Sequence, residues 1–307
     1  MKSRFALPGL FMLLLFSQLS MALDLTFKQV APGIYASIGE LGLRTYENEG
    51  MNGNAGFIVT DAGVVVVDSG SSYQVAQKIH AAIQQVTPLP VKYVINTGGQ
   101  DHRWLGNGYF KAQGAEIIAH TQAATDMTER GDMQMNGLKS ELKEKFSGTE
   151  LTLPTRTFDR EMRLDLGGRE IRILHFQPAH TPGDSIVWLP RASVVFAGDI
   201  VFVDRLLGVL PFSSASGWLQ SFEEMAKLQP TLIVPGHGDV CDLPKAKRET
   251  ADYLRRLLDH MSKAVDQGLD LQEAIDSLDQ SAFAYLPNYE LLKGGNANRV
   301  YLEAESL

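Results

Sequence analysis

Cysteine is almost absent from this chain, with Cys241 alone among 307 residues. No intramolecular disulfide can form, so a large apolar core must hold the fold, which this length allows. Beyond the first few residues there is no long Lys/Arg run, and 28 basic residues face 36 acidic ones, a formal net charge of −8. That balance argues against a nucleic-acid partner. No internal repeat of fixed period and no low-complexity linker occurs, which excludes solenoids and disordered arrays. With 44% hydrophobic and 21% charged residues, what remains is an ordinary globular composition.

The first 22 residues stand apart. Lys2 and Arg4 precede an apolar stretch from Phe5 to Phe16, and Ser20-Met21-Ala22 offers small residues at −3 and −1 before Leu23. This is the pattern of a cleaved secretory signal peptide over residues 1–22. Its apolar core is shorter than the ~20 residues of a spanning helix. No lipobox cysteine is present and no second stretch of this kind follows. The expected location is the periplasm, with no membrane association after cleavage.

The rest reads as alternating strands and helices. Gly56–Asp68 is predicted as a hairpin, with Phe57–Thr60, the turn Asp61-Ala62-Gly63 and the β-branched run Val64–Val67. Val75, Ile79, Ala82, Ile83 and Val86 have helical spacing. Strands are expected at Val91–Ile95 and Ala115–Ala119, with a short helix near Trp104 between them. Thr121–Ser147 reads as one polar, Met-rich helix. Met162–Leu166 and Glu170–Phe176 form a second hairpin around Gly167-Gly168. Ile186–Leu189, Ser193–Ala197 and Leu232–Pro235 are further strands, and Leu219–Leu228 a helix. From Leu243 the character is helical, with Tyr253, Leu254, Leu257, Leu258 and Met261 on one face. This pattern predicts an α/β protein, a four-layer αβ/βα sandwich over residues 23–242, with a C-terminal helical extension, 243–307, packed on the same domain.

Three loops carry metal-competent side chains directly after strands, where such folds place polar chemistry. The first is Asn96-Thr97-Gly98-Gly99-Gln100-Asp101-His102-Arg103-Trp104-Leu105-Gly106-Asn107. The second is Ala179-His180-Thr181-Pro182-Gly183-Asp184-Ser185. The third comprises Ala197-Gly198-Asp199 and Pro235-Gly236-His237-Gly238. Singly, a turn histidine is usually filler and an Asp after Gly an Asx-turn or cap. Together they form a set suited to zinc, or to iron in a His/His/carboxylate arrangement.

With the segments Val30-Ala31-Pro32-Gly33-Ile34-Tyr35, Val67-Asp68-Ser69-Gly70, His180-Thr181-Pro182-Gly183, Gly198-Asp199 and Gly236-His237-Gly238, the chain resembles the metallo-β-lactamase superfamily from about Leu25 to Gly238. The ending Asn298-Arg299-Val300-Tyr301-Leu302-Glu303 resembles the exported branch called quinoprotein relay system zinc metallohydrolases. The resemblance implies that His180 would ligate a first metal, His237 a second, and Asp199 would bridge them.

The first loop departs from the family pattern Thr-His-x-His-x-Asp-His. In strict register Gly98 and Gln100 replace two histidines, His102 stands at the Asp position and Arg103 at the final His. A one-residue slip, bringing Asp101-His102 to the family's Asp-His positions, stays open. His102, Asp199 and His237 remain to hold one metal, with His180 as a fourth ligand. Arg103 is permanently charged; at ~4 Å and a dielectric of ~20 it would repel a divalent ion by about 8 kcal/mol. It therefore turns away, stands in for a missing cation, or prevents binding. Asp68 is either an orienter of the loops or a turn cap. His120 is expected to be structural, His80, His175 and His260 are not expected to be ligands, and Cys241 reads as a small buried hydrophobe.

Asp101, His102 and Arg103 form the candidate catalytic stretch. A single bound zinc would make hydroxide available near neutral pH, and Arg103 would hold a substrate carboxylate or oxyanion. The expected substrate is a small ester, thioester, lactone or lactam. A metal-free binding or accessory protein, and an iron-dependent sulfur oxygenase of the same fold, are the alternatives; Gly98 speaks against the latter. Oligomeric state is left open.

Overall fold

The computed structural model describes residue 23 and residues 25–306; the predicted signal segment, residues 1–22, lies outside the described residues. One sheet contains, in spatial order, β1 (Lys28–Ala31), β2 (Ile34–Ser37), β3 (Ala55–Thr60), β4 (Gly63–Val67), β5 (Val91–Ile95), β6 (Glu116–His120) and β7 (Arg156–Phe158). A second runs β12 (Leu232–His237), β11 (Val194–Phe202), β10 (Ile186–Leu189), β9 (Arg169–Leu174) and β8 (Glu161–Leu166). The helices are α1 (Tyr73–Val86), α2 (Asp101–Trp104), α3 (Asn107–Ala112), α4 (Thr121–Leu142), α5 (Ala215–Lys227), α6 (Leu243–Ala246), α7 (Asp252–Asp266), α8 (Leu271–Ser277) and α9 (Tyr289–Glu305).

All residues of β4 are buried, and alternation sends them to two different cores. Val64 and Val66 pack against Val75, Ile79 and Ile83 of α1, while Val65 and Val67 face the second sheet. In β11, Val195 and Ala197 meet Trp218 and Phe222 of α5, and Val194 and Phe196 face inward. The result is helix, sheet, sheet, helix, an α/β sandwich with a C-terminal helical region. Strands buried on both faces read as continuous apolar runs, which is what Val64–Val67 and Val194–Ala197 are.

Three elements differ from the sequence expectation. The helix from Thr121 ends at Leu142, where Lys143 takes a positive φ of 53° and a 3₁₀ turn follows. α5 starts earlier, at Ala215, because the Ser214 hydroxyl accepts from the Gly217 N–H and caps it. β11 continues through Gly198-Asp199 to Phe202 rather than ending at Ala197. Gly198, with φ of 50°, bends the strand where its pairing with β12 shifts register.

The C-terminal helices hold the segment that follows Asp199. The Thr250 hydroxyl donates to the Phe202 carbonyl and accepts from its N–H. Asn296 accepts from the Val209 N–H and donates to the Leu207 carbonyl. Glu303 accepts from the N–H groups of Ala215 and Ser216 at the start of α5.

Candidate metal centre

The site forms where strands of both sheets end. Parallel pairing of β4 with β5 sets Asp68 beside the loop that becomes α2. Pairing of β11 with β12 sets Asp199 near His237. Asp68 takes a left-handed φ of 65°, strain of a kind that persists only where surroundings enforce it. Here the Thr97 N–H and hydroxyl donate to its carboxylate, at 2.8 Å each.

Arg103 lies in the middle of this arrangement, 1% exposed. Nε and Nη2 donate to the two oxygens of Asp199, at 3.2 and 2.5 Å. Nη1 donates to Asp68 at 2.9 Å and to the Asn54 carbonyl at 2.9 Å, and Nη2 also to the Gly236 carbonyl at 3.1 Å. A guanidinium has five N–H groups, and all five are engaged. Two expectations are corrected by this geometry. Arg103 has no donor left for a substrate. Its repulsion of a metal is offset by two carboxylates of opposite sign, so the Arg103, Asp68 and Asp199 trio carries a net negative charge when both acids are ionised. Asp68 is pushed up to about 6, mainly by burial, with Arg103 pulling the other way. Asp199 is held well below the carboxylate range despite burial, chiefly by Arg103.

His102, Asp199 and His237 each offer a ligand atom, all within 4.8 Å of one another. The His237 Nδ1–H donates to the Asn52 carbonyl at 2.6 Å. Burial holds this ring neutral, its pKa down to about 4, so Nε2 presents a lone pair 3.3 Å from Asp199 Oδ1. That spacing suits a cation bound by both atoms, as it suits a shared proton, and Arg103 already neutralises part of the charge on Oδ1. His102 adds to this: both its ring nitrogens are buried without a hydrogen bond, Nδ1 lying 3.4 Å from Asp101 Oδ1, and burial together with Arg103 pushes its pKa well down. A buried polar ring left unpaired is unfavourable, and a divalent ion bound by neutral imidazole removes the conflict. The residues present fit one metal.

His180 lines the same cleft but lies outside this tight triad; its Nδ1 donates to the Gly208 carbonyl at 3.0 Å, leaving Nε2 free. Asp101 turns to Arg44, with which it forms an ion pair, and caps the His102 N–H at 2.9 Å. The His102 ring and the Arg103 guanidinium meet Asp199, while the equally buried Asp101 carboxylate pairs with Arg44. His120 and His175 stack on each other at 3.7 Å, His80 bonds Tyr109, and His260 the Ala274 carbonyl. Cys241 is buried and its thiol pushed up to about 12 by burial, so it is no nucleophile.

The space beside Gly98 is filled by its neighbours. A Cβ on Gly98 would lie 2.3 Å from Asp184 Oδ1 and 3.2 Å from Thr181 Oγ1. Asp184 is fully buried and holds the Thr181 N–H at 2.7 Å. Gly98→His combined with Gln100→His is therefore expected to yield no second bound zinc and to destabilise the fold by roughly 1–3 kcal/mol, as overpacking does. Metal analysis and urea denaturation check this. Two zinc ions per chain with unchanged stability would refute it.

Sequence reasoning passed over the segment before β3. Asn54 donates to the Pro235 and Gly238 carbonyls, both at 2.8 Å, and accepts from the Gly39 N–H. Gly53 leaves room for His102, whose Cδ2 would be 2.5 Å from a Cβ there. The only signal was the cluster Asn52-Gly53-Asn54 ahead of a strand. In front of the triad opens a cleft of about 580 Å³, a size suited to small molecules. Arg44, Arg130 and Arg205 reach it, none of them singled out from the sequence.

Comparison with known proteins now identifies the class. The family model described as the metallo-beta-lactamase superfamily matches residues 48–237, more than half of the chain. The chain belongs to this superfamily. It is similar to the metallo-beta-lactamase type 2 of Elizabethkingia meningoseptica, 27% identical over 190 residues, 61% of this chain and 69% of that one. It is also similar to the linear primary-alkylsulfatase of Pseudomonas sp. (strain ATCC 19151), 19% identical over 254 residues, 70% of this chain and 48% of that one. Among solved structures, the stereoselective inverting sec-alkylsulfatase Pisa1 from Pseudomonas sp. gives a TM-score of 0.71 at 17% identity, covering 90% of this chain and 49% of that one. A metallo-beta-lactamase from Pontibacter korlensis gives 0.62 at 18% identity, covering 76% and 99%. The structural likenesses show the shared fold. The chain spans about half the length of the alkylsulfatases it matches.

Proposed function

We propose that the protein is an exported metal-dependent hydrolase with a one-metal centre, acting on a small ester, thioester, lactone or lactam. The observation that carries this reading is the buried cluster of His102, Asp199 and His237, with neither His102 nitrogen making a hydrogen bond. These three residues would hold the ion, and His180, with Nε2 free on the cleft, is placed to complete the set. Zinc suits two imidazoles and a carboxylate. A divalent ion bound there would supply Lewis-acid polarisation and activation of water.

The chain's own residues do the rest. Asn52 fixes the His237 tautomer, and Arg103 fixes Asp199 from behind while neutralising charge. Asp68, joined to both Thr97 and Arg103, ties the α2 loop to this arrangement. Hydrolysis is favoured by the company the chain keeps, since its relatives include proteins named for lactam and alkyl sulfate ester cleavage. The ending Asn298–Glu303 supports the quinoprotein relay system branch as part of the same proposal. Lys2, Arg4, the apolar run and Ala22 support export to the periplasm.

The test is one preparation. Untagged protein recovered from a periplasmic extract is expected to begin at Leu23 and, after zinc loading and dialysis, to retain one zinc per chain. Two tightly held zinc ions, or none, would overturn the one-metal reading; an intact N-terminus in the cytosol would overturn export.

A further inference from the structure

The ending Asn298–Glu303 belongs to α9, and α9 reaches back to the loop between β11 and α5. That loop is buried at Leu206, Leu207 and Val209, so its backbone groups need partners inside the protein. The C-terminal region supplies them. The Leu206 N–H donates to the Pro287 carbonyl at 2.9 Å. Asn296 accepts the Val209 N–H on Oδ1 at 2.7 Å and donates from Nδ2 to the Leu207 carbonyl at 2.8 Å. Glu303 holds the far end of the loop through the N–H groups of Ala215 and Ser216.

Between Leu207 and Val209 stands Gly208, whose carbonyl accepts from His180 Nδ1–H at 3.0 Å. Asn296 therefore grips the chain on both sides of the group that sets the His180 tautomer. The His180 ring lies edge-on to Trp218, centroids 5.2 Å apart, and tilted against Phe202 at 5.6 Å. Such neighbours fix the plane of an imidazole but accept it turned over, which exchanges a nitrogen for a carbon. A carbonyl at one edge removes that ambiguity: it holds the proton on Nδ1 and leaves the lone pair on Nε2. Asn296 is itself 1% exposed. Its Nδ2 also donates to Tyr253 Oη at 3.0 Å, and the Tyr253 hydroxyl donates to Gln280 Oε1 at 2.9 Å. The carboxamide is thus oriented from α7 as well as from its own helix.

We infer that Asn296 is a positioning residue of the metal centre. By clamping Leu207 and Val209 it holds the Gly208 carbonyl against His180 and keeps Nε2 available to the cleft as a ligand atom. This rests on the one-metal reading and deepens it, because it states what makes His180 fit to serve as the fourth ligand. It also gives the C-terminal helices a part in the chemistry of the site.

Two measurements test this, and the first needs no metal. Long-range proton–nitrogen correlation spectra of isotope-labelled histidines in chelator-treated protein report the tautomer of each ring, with His180→Ala identifying the His180 signals. The parent should show His180 protonated on Nδ1, and Asn296→Ala a mixture of tautomers. Competition with a chromophoric chelator should then show zinc bound about 10–100-fold more weakly by Asn296→Ala, the range expected when the partner of a ligating histidine is lost. In a His180→Ala background the same substitution should change zinc affinity by less than about twofold. It should still lower the melting temperature there, since the Leu207 and Val209 backbone groups are left unpaired in either background. Where Asn296→Ala fails to fold, Tyr253→Phe removes only the hydroxyl behind Asn296 and carries the same comparison with a smaller loss. A His180 signal that stays on Nδ1 in the folded variant would overturn the positioning role. So would a loss of zinc affinity of equal size with and without His180, since Asn296 would then be structural alone. A parent that takes up no zinc, but whose His180 tautomer still depends on Asn296, would sink the metal centre and leave the clamp on His180 standing.

Discussion

Arg103→Met is expected to destabilise the chelated protein by about 3–5 kcal/mol, the penalty for removing one partner from a buried ion pair. Five hydrogen bonds disappear with the guanidinium, three of them to the carboxylates of Asp68 and Asp199. Both acids are nearly inaccessible, at 2% and 1% exposure, and water cannot replace the lost charge. Asp68, already pushed up to about 6 by burial, would take up a proton; Asp199 would lose the neighbour that keeps it ionised. Urea denaturation in chelator gives the difference. Adding Asp68→Asn to Arg103→Met should recover part of the loss, because it removes one of the stranded charges, and the two substitutions should be non-additive. Arg103→His belongs to the same group: whatever it offers a metal, it cannot reach Asp68, Asp199, Asn54 and Gly236 at once. A single variant within about 1 kcal/mol of the parent would show that Arg103 is peripheral.

The contrast between what could and could not be read beforehand is clearest in this loop. The strands before it are continuous β-branched runs, and burial on both faces demands that composition, so Val64–Val67 and Val91–Ile95 were legible as strands and the loops after them as a site. His102, Asp199 and His237 were legible as metal-competent side chains shortly after apolar runs, although Asp199 lies within β11 and His102 in α2. The direction of Arg103 was not. Its role depends on Asp68 and Asp199, 35 and 96 positions away in the chain, and no local spacing encodes that. β11 was read as ending at Ala197 because Gly198-Asp199 resembles a turn. It is instead a bend within a strand, enforced by pairing with β12. Gly98 was read as a lost ligand, whereas the structure adds that Asp184 has closed the space.

The second large effect concerns His102. His102→Ala should lower zinc affinity by about 10²–10³-fold, taking one ligand's share of the roughly 10–16 kcal/mol that a complete four-ligand zinc site binds with. His237→Ala should lower it comparably, but it differs in the metal-free protein. The His237 ring donates to the Asn52 carbonyl and stacks on Phe202 at 4.4 Å, so its removal loosens the fold with or without metal. The His102 ring nitrogens make no hydrogen bond, Nδ1 lying 3.4 Å from Asp101 Oδ1, so in chelator His102→Ala should lose less than His237→Ala, the remaining cost being the packing of a buried ring. With saturating zinc the parent should gain stability by mass action, and His102→Ala should gain almost none. Melting curves of parent and both variants, each with and without zinc, resolve the three cases. If His102→Ala lowers the melting temperature equally in chelator and in zinc, its ring is packing rather than ligation. The one-metal centre would then be wrong at its best-supported residue.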